Sequence, residues 1–138
     1  MKDELLVKKA TEAKNGAYAP YSGFRVGAAL LAGRGKVYTG ANIENISYGA
    51  TNCAERTAVF KAAFEGERMI ETIAIASDSE DFIYPCGICR QVLAEFGRKD
   101  TRIICSNSAG LFRVHTLEEL LPNAFITFKG EEKNRNAF

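Results

Sequence analysis

The amino-acid sequence predicts an α/β fold in which a mixed sheet of about five strands is sandwiched between helices. Segments with helical and strand-like apolar patterns alternate along the 138 residues. Two apolar runs flank a helical segment in the second half, an order that is typical of parallel strands joined by a crossover. In the first half, two short apolar runs around a glycine-rich turn indicate a β-hairpin. This length suits a single domain over residues 1–138.

The first half of the chain predicts a helix, a hairpin and a second helix. Residues 2–15 carry apolar side chains at helical spacing, and Gly16 follows as a stop signal. The hairpin covers about residues 25–42, where RVGAALLA and KVYTGAN flank the turn sequence GRG. Residues 52–65 have a second helical pattern, which ends at Gly66. The first helix is expected to place near one face Leu5, Leu6, Lys9, Ala10 and Ala13.

The second half predicts two strands around a helix, then a further strand and a short helix. The two strands are ETIAIAS, residues 71–77, and TRIICS, residues 101–106. Between them, CGICRQVLAEF at 86–96 follows a proline and precedes a glycine, as helices often do. LFRVH at 111–115 is a candidate fifth strand. TLEELL at 116–121 begins with the Thr-x-x-Glu pattern of a capping box.

Composition and charge exclude some classes of function. The 18 basic and 17 acidic residues give a net charge of +1 without a block of like charge, so a large nucleic-acid surface is not favoured. The start, MKDELLVKKA, lacks the apolar stretch of a signal peptide. No run approaches the roughly 18 apolar residues of a membrane helix. We therefore expect a cytoplasmic protein without nucleic-acid or membrane partners. We also expect a partly disordered tail at 130–138.

Three of the four cysteines lie where a metal site is expected. Cys53, in TNCAERTAV, falls in the first turn of one predicted helix. Cys86 and Cys89, in YPCGICRQV, form a Cys-x-x-Cys pair in the first turn of another. Helix N-termini stabilise thiolates. If two such helix starts converge, their cysteines can bind one metal in the ionised form. Three protein ligands with an open fourth position are typical of a catalytic zinc.

Two other interpretations of the cysteines stay open from spacing alone. A closed structural zinc site needs a fourth protein ligand, for which Cys105 and His115 are the candidates. A redox couple of Cys86 and Cys89 needs no further residue, but it leaves Cys53 unexplained. We interpret Cys105 as a small core residue and His115 as a strand-end residue.

The two residues that follow the first cysteine ligand have distinct expected roles. Glu55 cannot share the direction of Cys53, but it can lie beside the open metal position and move protons between water and a substrate. Three thiolates give a zinc site a formal charge of −1, which blunts the metal as a Lewis acid. Arg56 can offset this charge by donating hydrogen bonds to the thiolates. Arg90 is either a second such donor or an ordinary surface or interface residue.

These motifs resemble the signature of the zinc-dependent nucleoside and nucleobase deaminases, in which His or Cys and x-Glu precede Pro-Cys-x-x-Cys. YAPYSGFRVGAAL, TGANIENISYG and ELLPNAF extend the resemblance to the short, homotetrameric class of cytidine deaminases. The resemblance implies that family's α/β/α fold and one Zn²⁺ per chain on Cys53, Cys86 and Cys89. It also implies that Glu55 catalyses the conversion of cytidine and 2′-deoxycytidine to uridine and 2′-deoxyuridine plus ammonia, a hydrolase reaction of pyrimidine salvage.

The resemblance also implies a set of substrate-binding residues. Asn42 and Glu44 would bind the ribose 3′-hydroxyl, and Phe24 would stack on the base. The backbone N–H of Ala54 would contact the pyrimidine carbonyl oxygen. Phe125 would reach into a neighbouring chain's site within a homotetramer that shares its active sites. Tyr48 is a further candidate for a contribution across an interface.

Related zinc deaminases provide two alternatives. A deaminase of a nucleoside-like antibiotic, such as the blasticidin deaminases, shares the zinc motif, and Glu44 is the residue that distinguishes it, because a free ribose hydroxyl needs an acceptor. A tRNA or polynucleotide deaminase would need a basic surface and usually has His as its first ligand. The balanced charge and Cys53 favour a free nucleoside.

Overall fold

Five strands and four helices follow one another in the predicted order in the computed structural model, which describes residues 1–128. The expectation for the tail at 130–138 lies outside the described residues. Short 3₁₀ turns occupy Lys14–Gly16 and Tyr48–Ala50. The helices and strands are α1 (Asp3–Ala13), β1 (Val26–Ala32), β2 (Val37–Ala41), α2 (Ala54–Phe64), β3 (Ile70–Ser77), α3 (Gly87–Phe96), β4 (Arg102–Ser106), β5 (Phe112–Thr116) and α4 (Leu117–Leu120).

The strands form one mixed sheet in the order β2-β1-β3-β4-β5. β1 pairs antiparallel with β2, which confirms the predicted hairpin, and it also pairs antiparallel with β3. β3 and β4 are parallel, and α3 connects them, which confirms the predicted crossover. β5 then returns antiparallel to β4.

Helices cover both faces of this sheet, which confirms the predicted three-layer architecture. Successive residues of a strand point to opposite faces, so Ala29 packs with α1 whereas its neighbours Ala28 and Leu30 belong to the larger cluster on the other face. That larger cluster contains residues of α2, α3 and α4. Both helices that begin at the predicted metal-binding cysteines, α2 and α3, therefore lie on the same side of the sheet.

The buried stripe of α1 differs from the predicted one by about one position. Leu6, Val7 and Ala10 are buried against the sheet, whereas Leu5 is 45% exposed. Both leucines lie near the apolar stripe in sequence, and the orientation of the helix on the sheet selects Val7 over Leu5. None of the helices found in residues 1–128 is long and apolar enough to span a membrane.

A close contact between β2 and α2 brings the helix that follows Cys53 directly against the strand. A Cβ atom on Gly40 would lie 2.7 Å from the backbone oxygen of Ala54 and 2.5 Å from the backbone nitrogen of Ala58. Both distances are shorter than atomic contacts allow, and both partners are helix backbone, which cannot move aside cheaply. Glycine at this position therefore lets α2 pack directly on the strand.

We expect Gly40→Ala to lower the free energy of unfolding by about 1–3 kcal/mol, because overpacking forces backbone shifts of that cost. Urea unfolding of the purified variant measures the change. Gly49→Ala is the matched control, since a Cβ there meets nothing within 4 Å. Equal stability of the two variants would contradict the proposed close packing.

Candidate metal centre

The three predicted cysteine ligands meet at one point. Cys53 is the N-cap of α2, Cys86 is the N-cap of α3, and Cys89 lies in the first turn of α3. The sequence had placed Cys53 and Cys86 within the first turns, whereas both are N-caps, because α2 begins two residues later than predicted and α3 one residue later. The Sγ atoms of Cys53 and Cys86 are 3.8 Å apart, and all three sulfurs lie within 4.8 Å of one another.

This spacing fits a tetrahedral zinc ion. Zn–S bonds of about 2.3 Å at tetrahedral angles place two sulfurs about 3.8 Å apart, and the Cys53–Cys86 pair has this separation. Thiolates are also the soft donors that zinc accepts readily. The described residues thus supply three thiols whose spacing could hold a single zinc ion.

Cys105 and His115 lie outside this cluster of three. Cys105 is fully buried on β4 in the core behind α2 and α3, and burial raises the pKa of its thiol to about 12. It is therefore a neutral core residue, as predicted. His115 lies on β5, where its ring is 5.3 Å from the ring of Tyr84 and its Nδ1 is 3.8 Å from the Glu119 carboxylate.

Hydrogen bonds within the site favour the thiolate form of Cys53, whereas the hydrogen bond with Cys53 and burial raise the pKa of Cys89. The thiol of Cys89 and then the guanidinium of Arg56 lower the pKa of Cys53 well below that of an ordinary cysteine. The Nη2 of Arg56 is 3.3 Å from the sulfur of Cys53, the position predicted for a residue that offsets thiolate charge. The backbone N–H of Cys89 donates to the sulfur of Cys86 at 3.5 Å, as a helix N-terminus does for an anion.

Glu55 is a buried carboxyl group beside these sulfurs. Glu55 is only 4% exposed. Burial first, and then the nearby charge of Cys53, raise the pKa of Glu55 to about 7. A carboxyl group in such surroundings can both accept and release a proton near neutral pH, which suits a general acid–base.

A cleft of about 320 Å³ opens onto Cys53, Cys86 and Glu55. It contains three of the residues that the sequence had assigned to substrate, Phe24, Asn42 and Ala54. Four further residues of its wall were missed by the sequence analysis: Val26, Thr51, Ile83 and Tyr84. Only Tyr84 could have been identified from the sequence, because it lies two residues before Cys86.

Glu44 and Tyr48 line a second cavity of about 340 Å³, which shares Thr51 with the first. One oxygen of Glu44 accepts hydrogen bonds from the backbone N–H groups of Tyr21 and Ser22, at 2.9 and 3.1 Å. Its other oxygen accepts from the hydroxyl of Ser22, and this bond is the main cause of its lowered pKa. The two predicted ribose ligands thus line adjoining cavities.

Comparison with known proteins decides the family. The model of the cytidine and deoxycytidylate deaminase zinc-binding region matches residues 1–106, which include all three cysteines and Glu55. The chain belongs to this family.

Relatives within the deaminase family match almost the whole chain. A cytidine deaminase from Halalkalibacterium halodurans is 53% identical over 125 residues, or 91% of this chain and 95% of the relative. One from Sporosarcina psychrophila is 48% identical over 122 residues, or 88% of this chain and 90% of the relative. The crystal structure of the cytidine deaminase from Burkholderia pseudomallei superposes with a TM-score of 0.87 at 46% identity, covering 91% of this chain and all of that one.

Family membership identifies the metal of the site as zinc, and the cluster of three cysteines accommodates one ion. It also separates this deaminase from a redox protein, for which Cys86 and Cys89 would suffice. The zinc-binding region spans all three cysteines, in agreement with their convergence in the fold.

Phe125 is not among the residues that line the deaminase cleft of its own chain. Its side chain is 62% exposed and packs edge-on against Phe128, with the ring centroids 5.6 Å apart. It lines a separate small cavity beside Gln91 of α3.

We expect Arg56→Gln to keep zinc but to lower turnover by about 10–100-fold, the usual cost of removing a group that orients or neutralises metal ligands. The guanidinium donates a charged hydrogen bond to the sulfur of Cys53, and a neutral amide cannot replace its charge. Zinc content per chain and the steady-state rate measure the two effects. Arg34→Gln, at an exposed arginine of the hairpin turn, is the control. A rate equal to the control's would make Arg56 a packing residue.

Proposed function

We propose that this family member catalyses the hydrolytic deamination of cytidine and 2′-deoxycytidine to uridine and 2′-deoxyuridine, with release of ammonia. The observation that carries the proposal is a buried carboxyl group, Glu55, beside three converging thiols in an open cleft. The cytidine deaminases that match most of the chain act on the substrate class that fits this arrangement.

Glu55 would carry the protons of the reaction. When bound, zinc would act as a Lewis acid that makes water a stronger nucleophile. Glu55 would take a proton from the attacking water and pass it to N3 of the pyrimidine. It would then take the remaining proton of the added oxygen and deliver it to the departing amino group. The C4–N bond breaks as ammonia leaves, and the oxygen from water becomes the C4 carbonyl of uridine. Cytidine and water thus balance uridine and ammonia.

The cleft offers contacts for the base. Phe24 has a partly exposed ring in the cleft wall, where it could stack on a pyrimidine. Ala54 is the first residue of α2, so its backbone N–H belongs to the unsatisfied donors of a helix start. We propose that this N–H binds the pyrimidine carbonyl oxygen, and that the small side chain of Ala54 lets the base approach.

Asn42 and Glu44 remain our candidates for the ribose 3′-hydroxyl. The amide of Asn42 already bonds the backbone, accepting from Val26 at 2.9 Å and donating to Phe24 at 2.8 Å. Its oxygen has a second lone pair and its nitrogen a second hydrogen, so a hydroxyl can still be bound. Glu44 likewise can accept a further hydrogen bond on the oxygen that accepts from the Ser22 hydroxyl.

The direct test is a zinc assay combined with ultraviolet monitoring of cytidine conversion. We expect about one zinc per chain and conversion of cytidine to uridine. Zinc without turnover of any nucleoside would favour a non-catalytic zinc module. Turnover of a nucleoside-like antibiotic in preference to cytidine and deoxycytidine would favour the antibiotic deaminases, and turnover of RNA would favour the polynucleotide enzymes.

We also propose a cytoplasmic homotetramer of single-domain chains with shared active sites. The exposed ring of Phe125, which does not line its own cleft, and the 76% exposed side chain of Tyr48 are available for contact with other chains. Reduced thiols, which zinc binding needs, suit the cytoplasm. Size-exclusion chromatography with light scattering measures the assembly.

We expect Phe125→Ala to weaken nucleoside binding while leaving zinc in place, because the ring would contribute stacking but no metal contact. Mixing Phe125→Ala with Glu55→Ala and exchanging subunits should then give activity above either parent, since some sites would combine Glu55 of one chain with Phe125 of another. Phe64→Ala, at a ring that is 93% exposed, is the control for a lost surface phenylalanine. Strictly additive activity after proven exchange would remove the shared-site proposal.

A further inference from the structure

The segment that carries Phe125 is held by the helix that begins at the metal cysteines. Gln91 donates a hydrogen bond from Nε2 to the backbone oxygen of Phe125 at 2.8 Å. Arg90 donates from Nη1 to the backbone oxygen of Leu120, also at 2.8 Å. Both donors follow Cys89 directly in the sequence. Two consecutive side chains of α3 therefore bind two carbonyl groups of one C-terminal segment.

Arg90 also binds the loop that leads to the first cysteine of α3. Its Nε donates to the backbone oxygen of Pro85 at 2.8 Å, and its backbone N–H donates to the oxygen of Cys86 at 2.9 Å. A guanidinium is planar and holds its donors in a fixed geometry. One rigid group thus sets the distance between Pro85, next to a metal ligand, and Leu120, at the end of α4. This answers the open question about Arg90, whose side chain bonds backbone oxygens.

The backbone on both sides of Phe125 is anchored while its ring is left on the surface. Ala124 and Ile126 pack against the larger core cluster. Phe125, between them, is 62% exposed, and its own carbonyl is the one that Gln91 holds. A ring presented on an anchored backbone loses less freedom when it binds, which favours affinity.

We propose that Arg90 and Gln91 are positioning residues that set the Phe125 ring relative to the metal-binding turn of α3. The zinc centre of a chain and the ring that this chain offers to a neighbour are then ordered together, so zinc in one chain favours nucleoside binding at the neighbouring site. The inference rests on the proposed function for its substrate and on the proposed sharing of Phe125. The hydrogen bonds that carry it are independent of both.

A fluorescent reporter can test the positioning without turnover. The chain contains no tryptophan, so Phe128→Trp introduces a single indole next to the Phe125 ring. In the zinc-loaded protein we compare acrylamide quenching of this reporter in the Gln91 parent, in Gln91→Met and in Gln91→Lys. Methionine has a similar length but no donor, whereas lysine keeps one. We expect quenching to rise in Gln91→Met and to return towards the parent's value in Gln91→Lys.

Kinetics without the reporter provide the second measurement. We expect Gln91→Met to raise KM for cytidine by about 2- to 10-fold, the effect of one lost hydrogen bond, with kcat and zinc content nearly unchanged. A change in KM alone indicates a ring that binds substrate less well, and it separates positioning from general loss of structure.

Coupling to the metal is tested on Arg90. In the parent, removing zinc with a chelator should raise reporter quenching, because the loop at Pro85 loosens. In Arg90→Met, quenching should already be high with zinc and should change little on its removal. If Arg90→Met does not fold, Arg90→Lys keeps the charge but cannot reproduce the guanidinium's fixed fork between two carbonyls.

Unchanged quenching and KM in Gln91→Met would overturn the proposal, as would equal defects in Gln91→Met and Gln91→Lys. A zinc response that persists in both Arg90 variants would overturn the coupling to the metal. Absence of cytidine turnover in the parent would count against the proposed function instead. The quenching measurements would then still decide whether Arg90 and Gln91 position the segment.

Discussion

Glu55→Gln is expected to retain zinc and fold but to lower turnover by at least about 10²–10⁴-fold, the usual contribution of general acid–base catalysis. One carboxyl group would serve several proton transfers, so the loss can exceed this range. Glutamine occupies nearly the same volume but cannot accept and release a proton. The variant should fold well, because an amide is cheaper to bury than the carboxylate that it replaces. Zinc content, urea unfolding and the rate of cytidine conversion measure the three expectations.

The control for this substitution is the same change at an exposed glutamate outside the site. Glu71, on β3, is exposed, and Glu71→Gln should leave turnover and zinc unchanged. Loss of zinc together with activity in Glu55→Gln would make Glu55 a ligand and contradict its assignment as a proton carrier. Retained activity would shift the proton transfers to another group.

The fold could be predicted because its signals are local. Glycine and proline punctuation marked the helix ends, and the capping box at Thr116 and Glu119 forms as the spacing indicates. The strand order β2-β1-β3 was not predicted, since it depends on which apolar faces meet. For the same reason the stripe of α1 was misplaced by about one position, with Val7 buried instead of Leu5. Periodicity indicates that a helix has an apolar side, but tertiary packing decides its centre.

The convergence of the three cysteines could be predicted because the starts of α2 and α3 lie together in the fold, and Cys-x-x-Cys keeps two of the thiols at the start of one helix. The cleft wall was harder to predict. Thr51 and Ile83 come from loops whose paths depend on the whole fold, and they carry no chemical signal of their own. Gln91 was likewise missed, because its hydrogen bond joins residues that are 34 positions apart.

Substitution of a metal ligand should have the second large effect. Cys53→Ala, Cys86→Ala and Cys89→Ala should each lose zinc and, with it, turnover. They should also be less stable than the zinc-bound parent, because a ligand that binds only the folded state stabilises it. At a free zinc concentration about 1,000 times the dissociation constant this linkage amounts to about 4 kcal/mol. Zinc content after dialysis, and unfolding with and without added zinc, measure the loss.

Cys105→Ala is the matched control, since it removes a thiol from the core without touching the cluster. This variant should keep one zinc per chain and the stabilisation that zinc provides, although deleting a buried sulfur lowers stability with or without the metal. Cobalt substitution adds a spectroscopic check, because an open site with three sulfurs and one oxygen absorbs differently from a closed site with four sulfurs. Release of the metal from Cys105→Ala would mean that the fourth position is filled by protein. The cleft at Glu55 would then have no open metal position to serve, and the deamination proposal would fail with it.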